Sequence, residues 1–147
     1  MTQQQNYANH ARYVPAYHFV LFGILILNLI WSIYHFVRYW MITPGQDGMR
    51  ILTAIGLLIM FYYAREFALT VQDRLIRLEM TLRLEKLLSA DMRSRIKEFS
   101  LGQLIALRFA GDQELPALAA KVLAEKIAER KTIKQLIQNW NADELRV

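Results

Sequence analysis

Three histidines, His10, His18 and His35, are the residues whose type could bind a metal or haem. Haem held between helices needs two axial ligands converging on one iron. His18 and His35 are 17 residues apart, roughly 25 Å along a helix, and the second apolar run contains no histidine. One chain therefore supplies no ligand pair inside a membrane. Only a symmetric dimer using His18 twice would make a haem- or quinone-binding redox subunit, and an interfacial histidine is the simpler reading. With no cysteine, the chain has no disulfides, thiolate ligands or thiol nucleophiles. It also has no Gly-rich phosphate loop, Gly-x-Ser-x-Gly elbow or His-Glu-x-x-His. No enzyme and no cofactor are expected, and no small-molecule substrate is identified.

The other polar residues of interest lie in apolar surroundings. Asn28 falls near the middle of the first apolar run, with Thr53 at a matching depth on the second. A polar side chain in lipid turns to a protein partner. Gly23 and Gly56 are at similar depths, and small residues allow backbones to approach. Packing within one chain explains these four, and contact between copies or with a partner is the alternative. Arg65 and Glu66 mark an apolar boundary, where snorkelling accounts for them better than proton transfer does.

The elements that position these residues follow from the distribution of charge. Val14 to Val37 carries no Lys, Arg, Asp or Glu, which at about 1.5 Å per residue is enough to cross a core of roughly 30 Å. Its apolar core is too long, and its end too aromatic, for a cleaved signal peptide. A second uncharged run, 51–64, lies between Arg50 and Arg65. Residues 65–147 hold 15 of the 18 basic and 12 of the 13 acidic side chains, a mixed-charge region without the one-sign block of a nucleic-acid arm. Arginines and lysines follow the second span more densely than they occupy the connection "MITPGQDGMR". The positive-inside rule therefore puts both termini in the cytoplasm.

Aromatic residues gather at both ends of the spans, as belts do at headgroup level. Tyr13, Tyr17 and His18, with Tyr62, Tyr63 and Arg65, form the inner group; Tyr39 and Trp40 belong to the outer one. Beyond the second span, Val71, Leu75, Leu78 and Leu82 recur at spacings of four, three and four. This is a seam suited to helix partners, with Ile76, Met80, Leu84 and Leu87 as a flanking row. No Gly or Pro occurs between Leu57 and Phe99, so one helix can run on from the second span. Ser100, Asp112 and Thr132 start three shorter predicted helices, 100–110, 114–130 and 132–141.

The expected fold is an all-α membrane protein: a transmembrane helical hairpin continuing into a long cytoplasmic stalk helix with a small helical bundle. Its parts are an interfacial collar (1–13), a first span (14–40), an outward loop (41–50), a second span (51–66), a stalk (67–98) and a bundle (99–147). The stretches "QNYANHARYVP", "LGQLIALRFAGDQELPALA" and "IKQLIQNWNADELRV" resemble a family of small bacterial two-span membrane proteins of unknown function. The resemblance covers nearly the whole chain and implies two membrane helices with a helical cytoplasmic tail, in the bacterial inner membrane. It brings no activity, and it makes Arg108, Asp112 and Glu114 a candidate partner-contact loop. The partners expected are the lipid bilayer and either further copies of the chain or a larger membrane complex. An oligomeric channel or small transporter, with Asn28 and Thr53 facing the pore, is the second functional expectation.

Overall fold

The computed structural model describes residues 14–142, and these divide into a hairpin, up to Leu69, and a tail that begins at Thr70. All regular elements among them are helical, apart from one isolated antiparallel bridge between Ala110 and Trp140. The first helix opens as a π-helical stretch, Ala16–Leu21, and continues as α1, Phe22–Tyr39. Pro15 stands at its N-cap, where a missing N–H deprives no one of a partner. α2, Pro44–Leu87, is one helix of 44 residues whose first part belongs to the hairpin and whose later part belongs to the tail.

Both helices are long and apolar enough to cross a bilayer, and the chain itself buries little of them. In their most apolar windows only 11% and 6% of the residues are buried. The buried positions of the hairpin are Leu25, Ser32, Asp47 and Ala54. A methyl group at Gly23 or Gly56 would meet nothing within 4 Å, so neither is a close-approach point within one chain.

The structure moves two expected boundaries. The connection read as a loop over 41–50 is mostly helix, because Pro44 sits at the first helical position, where its fixed φ suits the turn. The stalk read to residue 98 stops at Leu87. No Gly or Pro marks the stop; the backbone turns extended at Ser89. Leu88 is buried there, and its carbonyl accepts from Arg93 Nε at 2.9 Å. A short helix, α3 (Ala90–Arg93), and a 3₁₀ turn, Ile96–Glu98, follow.

Three more helices complete the tail: α4 (Leu101–Leu107), α5 (Leu115–Ala124) and α6 (Arg130–Gln135). All are shorter than their apolar patterns suggest. Ser100 caps α4 as expected and makes a full capping box with Gln103. Gln103 Nε2 also donates to the Ile127 carbonyl at 2.9 Å, tying α4 to the end of α5. α5 ends early because Lys126 adopts φ 51° and the Ile127 N–H reaches back to Val122 O at 3.0 Å. That is a Schellman-type stop with lysine where glycine is usual. Ile76, Met80, Leu84 and Leu88 of α2's side pack with these helices into one core, closed by Leu107, Leu115 and Ile133. Trp140, within the last helix expected at 132–141, lies past α6 and stacks on Phe109 at 4.6 Å.

Candidate functional site

The turn of the hairpin is organised around one carboxylate. Asp47, the single acidic residue ahead of Glu66, is fully buried. Thr43 Oγ1 donates to Oδ2 at 2.8 Å, and Arg50 donates to Oδ1 at 2.8 Å. His35 Nδ1 lies 2.9 Å from Oδ1 and donates when it carries the ring proton. The Asp47 N–H returns to Thr43 O at 3.1 Å. A buried charge is tolerated where donors satisfy it, and these donors come from α1, the turn and α2. His35 also lies against Tyr39, with ring centres 4.5 Å apart.

An open cleft of about 600 Å³ runs from this cluster along one side of the hairpin. It brings Asn28 and Thr53 to the same cavity, together with Ser32, His35, Gln46 and Arg50. The hydroxyls of Ser32 and Thr53 donate to the carbonyls of Asn28 and Met49 on their own helices. Asn28 and Thr53 are themselves exposed. The polar lining is thus a face, and nothing in it closes over a ligand.

At the opposite end of the hairpin, Tyr17 stacks on Phe61 at 4.4 Å and its hydroxyl donates to the Phe61 carbonyl. That contact sets Tyr17 level with the neighbouring Tyr62 and Tyr63, whose rings pack edge to face. His18 stands beside Tyr17 with Nδ1 3.0 Å from Val14 O, and Arg65 is half-buried. Trp40 packs on Phe36 and Arg38 lies over Tyr39 at the turn end. Tyr13 and the rest of the collar fall outside the described residues.

In the tail the apolar stripe of α2 divides into two faces. Ile76, Met80, Leu84 and Leu88 are buried by the tail's own helices. Val71, Leu75, Leu78 and Leu82 are 66%, 52%, 57% and 57% exposed. At 100° per residue the two rows point about 180° apart, so no single neighbour covers both. A groove of about 580 Å³ lined by Arg74, Leu78, Thr81 and Leu101, among others, runs beside the exposed row.

The loop after α4 is occupied within the chain. Arg83 reaches from α2 to Asp112 Oδ1 at 2.6 Å and to the carbonyls of Arg108 and Ala110 at 3.0 and 2.6 Å. Glu114 accepts from the backbone N–H groups of Gly111, Gln138 and Asn139 at 3.3, 3.1 and 3.0 Å. The Arg108 guanidinium lies 4.6 Å over the Phe109 ring. Each of the three loop residues therefore has a role inside the tail, with or without a partner.

Sequence reasoning missed Asp47, His35, Arg50 and Thr43. The available signal was Thr43 before Pro44, a cap followed by proline at the first helical position. Among the described residues no group of three His, Asp, Glu or Cys is placed to hold a metal ion. A model of a family of unknown function, DUF6526, matches residues 1–147. No curated protein and no solved structure matches the chain.

Proposed function

Because the chain belongs to DUF6526, a family of unknown function, we propose its role from its own geometry: a non-enzymatic integral membrane protein that assembles through its helices. It acts as a self-assembling scaffold or as an accessory subunit of a larger membrane complex. The observation that carries this reading is the uncovered seam Val71, Leu75, Leu78 and Leu82. A row of exposed large side chains on a water-facing helix is unfavourable by about 25 cal/mol per Å² of apolar area, and a partner helix relieves it.

Three further observations support the membrane half of the proposal. The hairpin leaves nearly all of its apolar surface bare, unlike the core helix of a soluble domain. Its aromatic residues collect at the two ends, where amphipathic rings settle at headgroups. The excess of Arg and Lys after the second span favours a topology with both termini cytoplasmic, in the bacterial inner membrane that the resemblance implies. Gentle extraction from native membranes, followed by mass and composition of the particle, tests the assembly. Particles holding several copies, or this chain with stoichiometric foreign subunits, are expected; a lone monomer in lipid overturns it.

The second reading is an oligomeric channel or small transporter. The cleft that unites Asn28, Thr53 and four other polar residues on one hairpin face supports it, since polar residues in spans face a partner or a water-filled path. Ion or solute flux through liposomes holding the purified protein tests it, and tight liposomes discard it.

A further inference from the structure

We propose that the partner of the seam is a second copy of this chain, packed parallel and in register as a short two-stranded coiled coil over residues 71–82. The inference rests on the assembly reading above and names the occupant of that surface. Spacings of four, three and four assign Val71 and Leu78 to the d positions of a heptad, and Leu75 and Leu82 to the a positions. All four are exposed, and the row that the tail buries lies on the other side of the helix. The surface is therefore free for a partner while the tail remains folded.

Charge selects which partner. In the same frame Arg74 occupies a g position and Glu79 the following e position, and both are exposed. In a parallel, in-register pair the g residue of one helix meets the next e residue of the other, so Arg74 faces Glu79 of the second copy, and the reverse pair forms as well. Residues at e and g set partner choice and orientation in this way. Gln72 at e and Thr81 at g bring no like charge against either. The sequence is thus complementary to itself in one orientation. A bilayer imposes that orientation, because copies inserted the same way present their stalks side by side and parallel. Two heptads are short for a free coiled coil, and confinement to a membrane supplies the high effective concentration that a short seam needs.

The absence of native cysteine makes the test clean. Leu75→Cys and Leu78→Cys, made singly in the full chain in membranes, should each form a disulfide-linked homodimer under mild oxidation. Arg77→Cys, at an exposed position off the seam, should not. Arg74→Glu and Glu79→Arg should each lower the Leu78→Cys crosslink yield by about three- to tenfold, as expected for losing weak exposed pairs and gaining like charges. The double exchange should restore it, a rescue that a folding defect would not give. Seam cysteines that crosslink only to a foreign protein overturn this proposal and leave the assembly reading standing. Seam cysteines that crosslink to nothing, with a monomeric particle, sink both. Equal homodimer yield from Arg77→Cys, or failure of the double exchange to rescue, also overturns it.

Discussion

Asp47 binds Thr43, Arg50 and His35, side chains from three parts of the hairpin. Asp47→Ala should cost about 2 kcal/mol, the value of charge-assisted bonds offset by water regained at the half-exposed Arg50. Thermal unfolding in detergent measures it, and Asp47→Asn should lose less, since it keeps an oxygen acceptor. An unchanged midpoint for the alanine variant would show that the cluster is incidental to the turn. Beyond the Thr43–Pro44 start signal, the cluster was not visible in the sequence. His35 and Asp47 are joined across a turn at no helical spacing, and periodicity does not report such pairs. At the tail surface, Glu98 is held below the usual carboxylate range by its bidentate hydrogen bond to Arg95, against opposing desolvation. A lowered carboxylate stabilises the fold above its unfolded value and loses that contribution as pH falls through its folded one. Acid unfolding of the tail should therefore show a small component in that window that Glu98→Gln removes, and salt should weaken it.

The start of α4 was legible where the helix ends were not, and the difference is chemical; the starts expected at Asp112 and Thr132 fall instead at Glu114 and Glu129. Ser100 was readable because a cap is a local event, complete within four residues. Ser100→Ala should cost about 1 kcal/mol, read as a shift in denaturant midpoint without a change in slope. The ends of α2 and α5 were not readable. α2 stops where Leu88 buries and Arg93 takes its carbonyl, with no breaker in the sequence. α5 stops on Lys126 in the left-handed region, where the usual signal is glycine. Lys126 is exposed, so Lys126→Gly should stabilise the tail by about 0.5–1 kcal/mol by removing its Cβ from an unfavourable conformation. A loss of stability on that exchange would show that the lysine side chain has a use the backbone does not explain. Pro44 shows the converse error: the connection 41–50 was expected to be a loop, while position made the proline a helix starter.

For the molecule as a whole, the two apolar runs, the long second helix and the all-helical tail followed from hydrophobic pattern alone. The division of the stalk stripe into an inner and an outer face did not. Both rows are apolar, and which one the tail covers depends on where α4, α5 and α6 return, which no local pattern encodes. The closure of the tail is equally non-local. Ala110 bridges to Trp140, the Gly111 N–H donates to Asn139 O at 2.9 Å, and a Cβ at Gly111 would lie 3.2 Å from that oxygen. Trp140→Ala should cost about 1 kcal/mol through the lost stacking on Phe109. It should also speed hydrogen exchange at the amides of Gly111 and Asn141, while those of α1 are unaffected.

The same closure sets an order of events during synthesis. The segment from Phe109 to Glu114 leaves the ribosome well before Gln138 to Asn141, on which it depends for its bridge and for two of the three backbone donors to Glu114. Until that later segment emerges, Phe109 lacks the ring that stacks on it. A nascent tail is therefore exposed to proteases and chaperones for the time it takes to add about thirty residues, a few seconds at ordinary translation rates. A premature stop before Gln138 would leave it so permanently.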